Sequence, residues 1–436
     1  IAQGGAISVD WRDSNVITNI TGNFIQNYAD SYRYSAGGAI YNNRTIENIN
    51  ANFIGNYATS LGNQSGSDEF VAGGAIGNSR NINNNYVQSK GYAKAAGGAI
   101  ANTSKITLIS GDFIDNAAYG SSRSESYGGA IANIDRSSAS IEDIKSRFYN
   151  NHADNGGAIA NYSRLEDSLK INNIQSEFVA NSANLKGVAI YNNRVIENIS
   201  GDFIGNFVKS TQDALGGAIY NENVIGQKDS SGNITGGIVN SSFIGNFAQA
   251  DGADSVAKGG AIYTQKDLNI IANNSATSVF SGNKVISNGV ERQNAIYVAR
   301  EKDYKTSTVN SVDKNGVATF TESYKYAPPS LTLDANSNGV IVFNDTIEGD
   351  INADTVKKAK FEVAKGYQYY GSTLDEFINY AKTKKPYWYT DGMTDVEIVS
   401  YGYSVGYLVA VDAEVVAENN KNGYSLALTG DKTGAI

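Results

Sequence analysis

The sequence contains no cysteine, a single histidine (His152), a single methionine (Met393) and three prolines, all late, at Pro328, Pro329 and Pro386. Without cysteine there is no disulfide, thiolate zinc site, iron–sulfur cluster or cysteine nucleophile, and one histidine excludes a two-histidine metal motif. Charge is also sparse: Asp, Glu, Lys and Arg make up 18% of the chain, and the formal net charge is −9. That balance gives no basis for a phosphate-binding groove, so nucleic acid is not an expected partner. No apolar run is long enough to span a bilayer, and the opening Ile1-Ala-Gln-Gly-Gly is no basic, then apolar, signal peptide.

The chain is rich in Gly (46 of 436 residues), in Asn, Ser and Tyr, and is still 41% hydrophobic, enough for a sizeable core. Its organisation is repetitive. The tetrapeptide Gly-Gly-Ala-Ile begins at Gly4, Gly37, Gly73, Gly97, Gly128, Gly156, Gly216 and Gly259, with Gly-Val-Ala-Ile at Gly187 and an eroded copy at Asn294 to Tyr297. Successive spacings run from 24 to 43 residues. Between these copies sits Phe-x-x-Asn, at Phe24, Phe53, Phe113, Phe148, Phe178, Phe203, Phe243 and Phe280, with a degraded copy at Tyr86. Four residues before each aromatic stands Ile or Val (Ile20, Ile49, Ile82, Ile109, Ile144, Ile174, Ile199, Val239), and midway a small residue such as Gly111, Ser146 or Gly201.

Ile-x-small-x-Phe has a period of two, the signature of a strand with one buried and one wet face. The same alternation turns the Ile of Gly-Gly-Ala-Ile-Tyr-Asn inward, with the second Gly and the Asn, and puts the Ala and the Tyr outside. A 24-residue repeat fits one three-sided coil, with Asn at its corners. Stacked coils then set identical amides above one another in hydrogen-bonded ladders. The expected fold is all-β: a right-handed parallel β-helix of about ten or more coils, roughly 45 Å long at about 4.8 Å per coil. Ile40, Ile100, Ile159, Ile219, Phe53, Phe113 and Phe203 are expected in its core. Repeat lengths differ mainly between Phe-x-x-Asn and the next Gly-Gly, which reads as loops along one edge.

This alternation of Gly-Gly-Ala-Ile with Phe-x-x-Asn resembles the repeats of the polymorphic outer membrane proteins, autotransporters with a β-helical passenger, over roughly Gly4 to Tyr297. Leu331-Thr-Leu-Asp-Ala and Gly339 to Ile347 resemble what such passengers carry after the repeats. The cysteines common in the chlamydial members are missing, which places the chain in a looser autotransporter-like group. The resemblance implies an adhesive or structural role at the surface of a Gram-negative bacterium or in secreted form. It also implies a cleaved signal peptide and a translocator barrel, neither of them in this chain, so that contact with a membrane would run only through that translocator. The chain opens inside a repeat motif and reads as the ordered piece of a longer precursor.

The expected domains are a repeat β-helix over residues 1–298, an irregular transition over 299–330, and a β-helix continuation or cap over 331–436. Within the last, Thr373 with Glu376 three residues on forms a capping box, and the spacing of Leu374, Phe377, Ile378 and Ala381 predicts a helix over about 374–384. Alternating runs at Val396 to Val411 and Ser425 to Leu428 read as strands.

Few residues suggest chemistry. His152 fills a corner slot held elsewhere by Tyr28, Tyr57 or Phe207 and lacks an orienting partner for general-base work. Asp334 to Asp345 imitates a calcium loop, but a strand-like run crosses it and its twelfth position is Asp rather than Glu. Asp112 and Asp202 share a wet slot about 14 Å apart, too far for a glycosidase pair at about 5–9.5 Å. No catalytic residue, cofactor or metal is therefore expected. The expected binding residues are the aromatics of the variable edge, Tyr28, Tyr32, Tyr34, Tyr57, Phe70, Tyr119 and Tyr127; the outward set Tyr41, Tyr191, Tyr220, Tyr263 and Tyr297 is the alternative. The partner would be a glycan or protein of a host or neighbouring cell, or a second copy of the chain. Two other functions fit the repeat: a β-helix polysaccharide lyase or glycosidase, and a surface lattice or filament subunit.

Overall fold

The computed structural model describes residues 2–3, 5–9, 17–31, 35–42, 46–60, 70–72, 81–83, 86–89, 94–102, 105–121, 125–134, 139–163, 169–228, 234–299, 306–312, 318–323, 329–335, 337, 339–349, 359–363, 374–395, 398, 408–413 and 426–429. They form a parallel β-helix. Each coil contributes a strand to a Phe sheet, turns a corner at Asn into an edge sheet, turns again at Gly-Gly into the Gly-Gly-Ala-Ile sheet, and passes to the next coil.

Register is set slot by slot. In the Phe sheet Phe24 pairs with Phe53, Phe53 with Ile82, Ile82 with Phe113, and so on through Phe148, Phe178, Phe203, Phe243 and Phe280 to Phe343. In the Gly-Gly-Ala-Ile sheet the column runs Ile100, Ile131, Ile159, Ile190, Ile219, Ile262, Ile296 and Ile347. The two columns face each other and form the main core. Ile40, Ile100, Ile159, Ile219, Phe53, Phe113 and Phe203 all lie in it, as their alternation predicts. Successive Phe rings stack face to face, with centroids 4.5 Å apart at Phe203–Phe243 and 4.9 Å at Phe113–Phe148.

Three slots differ from the sequence reading. The Ala of the tetrapeptide, expected outside, is fully buried in the main core (Ala99, Ala130, Ala158), because it still belongs to the Gly-Gly turn and the alternation begins only at the Ile after it. The degraded coil fills the Phe slot with Ile82, not Tyr86, which instead pairs with Tyr57 and Ala117 in the edge sheet. Ile238 rather than Val239 continues the buried Ile column, because the left-handed residue Asn240 (φ 50°) shifts that strand by one position.

The two glycines of the tetrapeptide are needed for separate reasons. Gly156 is left-handed (φ +64°), a conformation that costs an L-residue about 1–2 kcal/mol. Gly157 has no room for a side chain, since a Cβ there would lie 2.2 Å from the Ser182 carbonyl oxygen. The backbones of the edge sheet and the Gly-Gly turn thus touch, and the inward residues of the edge sheet (Ala118, Ala153, Ala183, Val208, Ala248) pack in small clusters separate from the main core. Val188 replaces the second Gly where the edge strand Ser182–Lys186 carries an extra residue relative to His152–Asn155.

After Val298 the stack gains one more parallel coil: Leu331–Ala335, Val340–Phe343 and Ile347–Gly349 pair with the coil before. Two expectations are refined here. The transition contains an antiparallel hairpin, Thr306–Val312 with Ala318–Ser323. The cap does not add further coils: Leu426–Thr429 pairs antiparallel with Val340–Phe343 and Ala359–Val363 antiparallel with Leu408–Ala413, which lies parallel to Leu426–Thr429 at Ala410 and Leu428. The helix spans Leu374–Lys384, burying Phe377 and Ala381. Its capping residue Thr373 lies outside the described residues. The run expected as strand from Val396 to Val411 opens instead on a helical turn, with the Ile398 N–H donating to the Thr394 carbonyl, and its described strand is Leu408–Ala413.

Candidate functional site

The edge sheet carries the expected binding aromatics, although not in loops. Tyr28 and Tyr57 are the first residues of strands Tyr28–Ser31 and Tyr57–Ser60, and Tyr119 ends Ala117–Tyr119. Phe70 opens strand Phe70–Ala72; its side chain, and all of Tyr32 and Tyr34, lie outside the described residues. Tyr28 and Tyr119 are exposed, Tyr57 half-buried. Tyr28 and Tyr57 stack at 5.5 Å with planes 14° apart, so each ring spends a face on its neighbour.

Tyr127 must be withdrawn from the binding set. It is 4% exposed and stacks on Tyr162 at 4.2 Å. The alternative set is buried too: Tyr191, Tyr220 and Tyr263 point out of the Gly-Gly-Ala-Ile sheet, yet pack into a second core with Tyr127 and Leu215, the ends of edge strands that fold back over them. Tyr297 is half-buried, and the Tyr41 side chain lies outside the described residues.

At the margin of that second core stand two carboxylates which sequence reading did not single out, Glu222, half-buried, and Glu125, exposed. Glu222 accepts hydrogen bonds from the Tyr191 hydroxyl (3.1 Å) and from Tyr220, and Glu125 accepts from Tyr127 (2.8 Å) and from Asn155 Nδ2 (3.0 Å). Lys186 Nζ lies 4.8 Å from the Tyr220 ring centroid and donates to its hydroxyl. Burial, reinforced by the nearby carboxylates, pushes all three tyrosine hydroxyls far above their ordinary range, so they remain protonated donors. Glu222 is two residues beyond Tyr220, so its signal was an acid just past the Tyr-Asn of one repeat.

On the outer face of the Phe sheet, stacking brings Asp112 beside Arg147, Arg147 beside Glu177, and Asp202 onto the next rung. Arg147 holds Asp112 with two hydrogen bonds, 2.9 Å from Nε and 2.6 Å from Nη2. These side chains flank a shallow groove of about 650 Å³ floored by Gly111, Ser146, Ser176 and Gly201. Asp112 and Asp202 stand three rungs apart, beyond reach of one bond.

His152 is a corner residue, its Nδ1 2.9 Å from Ser182 Oγ, and burial lowers its pKa. Asp345 has the clearest role. Its carboxylate accepts from the Gly282 N–H (2.9 Å), the Asn283 N–H (2.8 Å) and Asn283 Nδ2 (2.7 Å), which turns it into the corner and away from a calcium loop. Among the described residues no group of three metal-ligating side chains converges, and no helix is long and apolar enough to cross a membrane.

No family model, curated protein or solved structure matches the chain.

Proposed function

We propose that the chain is a surface-displayed or secreted β-helical passenger, of the autotransporter type that its repeats resemble, with an adhesive or structural role and no catalysis. The observation that carries this reading is the division within each coil. Interior and corner slots repeat from rung to rung, whereas length varies where the edge strand is interrupted, between Tyr57–Ser60 and Phe70–Ala72 for example, against none in His152–Asn155. A rod of fixed section with variable segments along one side suits display and contact. Asp112 is held by Arg147 and Glu222 by tyrosine hydroxyls, which speaks against either as the acid or base of the lyase or glycosidase alternative.

Beads coated with the purified chain should adhere to cells, and the protein should leave acidic and neutral polysaccharides uncleaved. Shortening the segments 32–34 and 61–69 should weaken adhesion without changing the circular dichroism spectrum. Polysaccharide turnover that disappears on Asp112→Asn or Glu222→Gln would replace this reading with an enzyme.

A further inference from the structure

Ten large apolar or aromatic side chains are prominently exposed among the described residues, and five of them, Ile25, Tyr28, Ile54, Tyr149 and Ile244, stand in two adjacent columns. The first column is the residue after Phe, paired Ile25 to Ile54, Ile114 to Tyr149, Tyr149 to Val179, and on through Ile204 to Ile244. The second is the residue after the corner Asn, where Tyr28 stacks on Tyr57 and Phe207 on Phe247. Between them lie the left-handed corner residue and the buried Asn. The two columns therefore form one ridge along the corner between the Phe sheet and the edge sheet, apolar at the residues just named in the first column, from Ile25 to Ile244, and aromatic at both ends of the second, with Ala117, His152 and Ser182 between those ends.

We infer that this ridge is a lateral self-association surface, and that its occupant is a second copy of the chain packed side by side. Two observations select that occupant. First, the contact residues recur once per coil at about 4.8 Å, and a rigid rod can satisfy all of them only against a surface of the same repeat, which a second copy supplies. Second, a chain of formal charge −9 repels itself over most orientations. In the eight corners Ile25–Tyr28, Ile54–Tyr57, Ile114–Ala117, Tyr149–His152, Val179–Ser182, Ile204–Phe207, Ile244–Phe247 and Ser281–Lys284, the charged residues are Asp115, which accepts a hydrogen bond from Asn150, and Lys284 at the end of the series, which donates to Glu291.

Asp115 also sets the direction. In a parallel, in-register pair it would face its own copy. In an antiparallel pair centred on the Tyr149 rung it faces the uncharged Val179–Ser182 corner, while the Ile54–Tyr57 corner meets Ile244–Phe247. The copies therefore run antiparallel about a two-fold axis near Tyr149.

Sedimentation velocity over a range of protein concentrations should show a monomer–dimer equilibrium that Ile54→Lys with Ile244→Lys abolishes, leaving the far-ultraviolet circular dichroism unchanged. The chain has no cysteine, so single replacements report proximity without background. Tyr149→Cys should form a disulfide dimer with itself under mild oxidation. Ile54→Cys should cross-link to Ile244→Cys but not to itself. A monomer at every concentration, a dimer indifferent to the lysine substitutions, or a monomer that binds lipid vesicles through the ridge overturns the proposal. Self-linking of Ile54→Cys overturns its antiparallel arrangement. Adhesion of a strictly monomeric chain would leave the proposed function standing and remove only this inference.

Discussion

At the scale of single residues, the corner is where the fold is most demanding. The second residue after Phe is left-handed in coil after coil: Gln26, Gly55, Asp115, Asn150, Ala180, Gly205, Gly245 and Gly282 all have φ between 50° and 70°. Gly adopts this at no steric cost, whereas an L-residue loses about 1–2 kcal/mol. Two substitutions at the same slot should therefore move stability in opposite directions. Ala180→Gly should raise the urea midpoint by an amount worth about 1 kcal/mol, and Gly205→Ala, with open space around its Cβ, should lower it by about as much. Asp345 permits a test by pH. Burial lifts its pKa against the opposing N–H donors of Asn283 and Gly282. Since the folded value is raised, the folded state binds the proton more tightly than the unfolded chain. This group's contribution is then complete below the ordinary Asp value of about 3.9 and is lost as pH rises through the raised value. Wild-type protein should lose stability across that window, and Asp345→Asn should remove that part of the slope.

At the scale of the element, the unit of stability is the column. A central Phe such as Phe178 stacks on Phe148 at 4.9 Å and on Phe203 at 4.7 Å, and is fully buried. Phe178→Ala should cost about 3–5 kcal/mol by chemical denaturation; a loss below 1 kcal/mol would mean that the column is not the core. The columns were legible in the sequence because Ile-x-small-x-Phe has one period and one chemistry, and so were the helix Leu374–Lys384 and the Asn ladders. The Tyr columns were legible only by half. Alternation gives the side of the sheet on which Tyr191 and Tyr220 stand, but not that the edge strands ending at Tyr127 and Leu215 fold back over that side. Such a contact depends on the angle made at Gly-Gly, and no periodicity records an angle. Ile82 misled for a related reason: Tyr86 matches the aromatic of the motif by type, whereas register placed a smaller apolar residue in the slot. The left-handed corner was written plainly, as Gly55, Gly205, Gly245 and Gly282 at one offset, and its exposed neighbours Ile25 and Ile54 stood beside it.

At the scale of the molecule, ten rungs of the Phe sheet, from Phe24 to Phe343, give nine steps and a rod of about 43 Å between the first and last. Each coil meets mainly the coils on either side, so stability should behave as a sum over neighbours rather than as one globular core. Excising residues 187–215, one whole repeat, joins Lys186 to the Gly-Gly at Gly216 and restores every column with one rung fewer. The shortened chain should fold with an unchanged circular dichroism spectrum per residue and lose only one repeat's share of stability. Collapse of the fold on excision would show that the coils are not interchangeable.

The corner amides have a direction as well as a position. From Asn116 through Asn151, Asn181, Asn206 and Asn246 to Asn283, each Nδ2 donates to the Oδ1 of the next coil, always toward the C-terminus. Each Oδ1 also takes that neighbour's backbone N–H, as Asn181 does for Asn151. Aligned in this way, the amides add their dipoles along the rod, as peptide units do along a helix, and the positive pole lies at the C-terminal end. There the series meets Asp345, a carboxylate with no N–H to pass on. A negative charge thus closes the pole that attracts it, whereas the same charge placed at Asn27, where the opposite pole lies, would be repelled by every amide behind it.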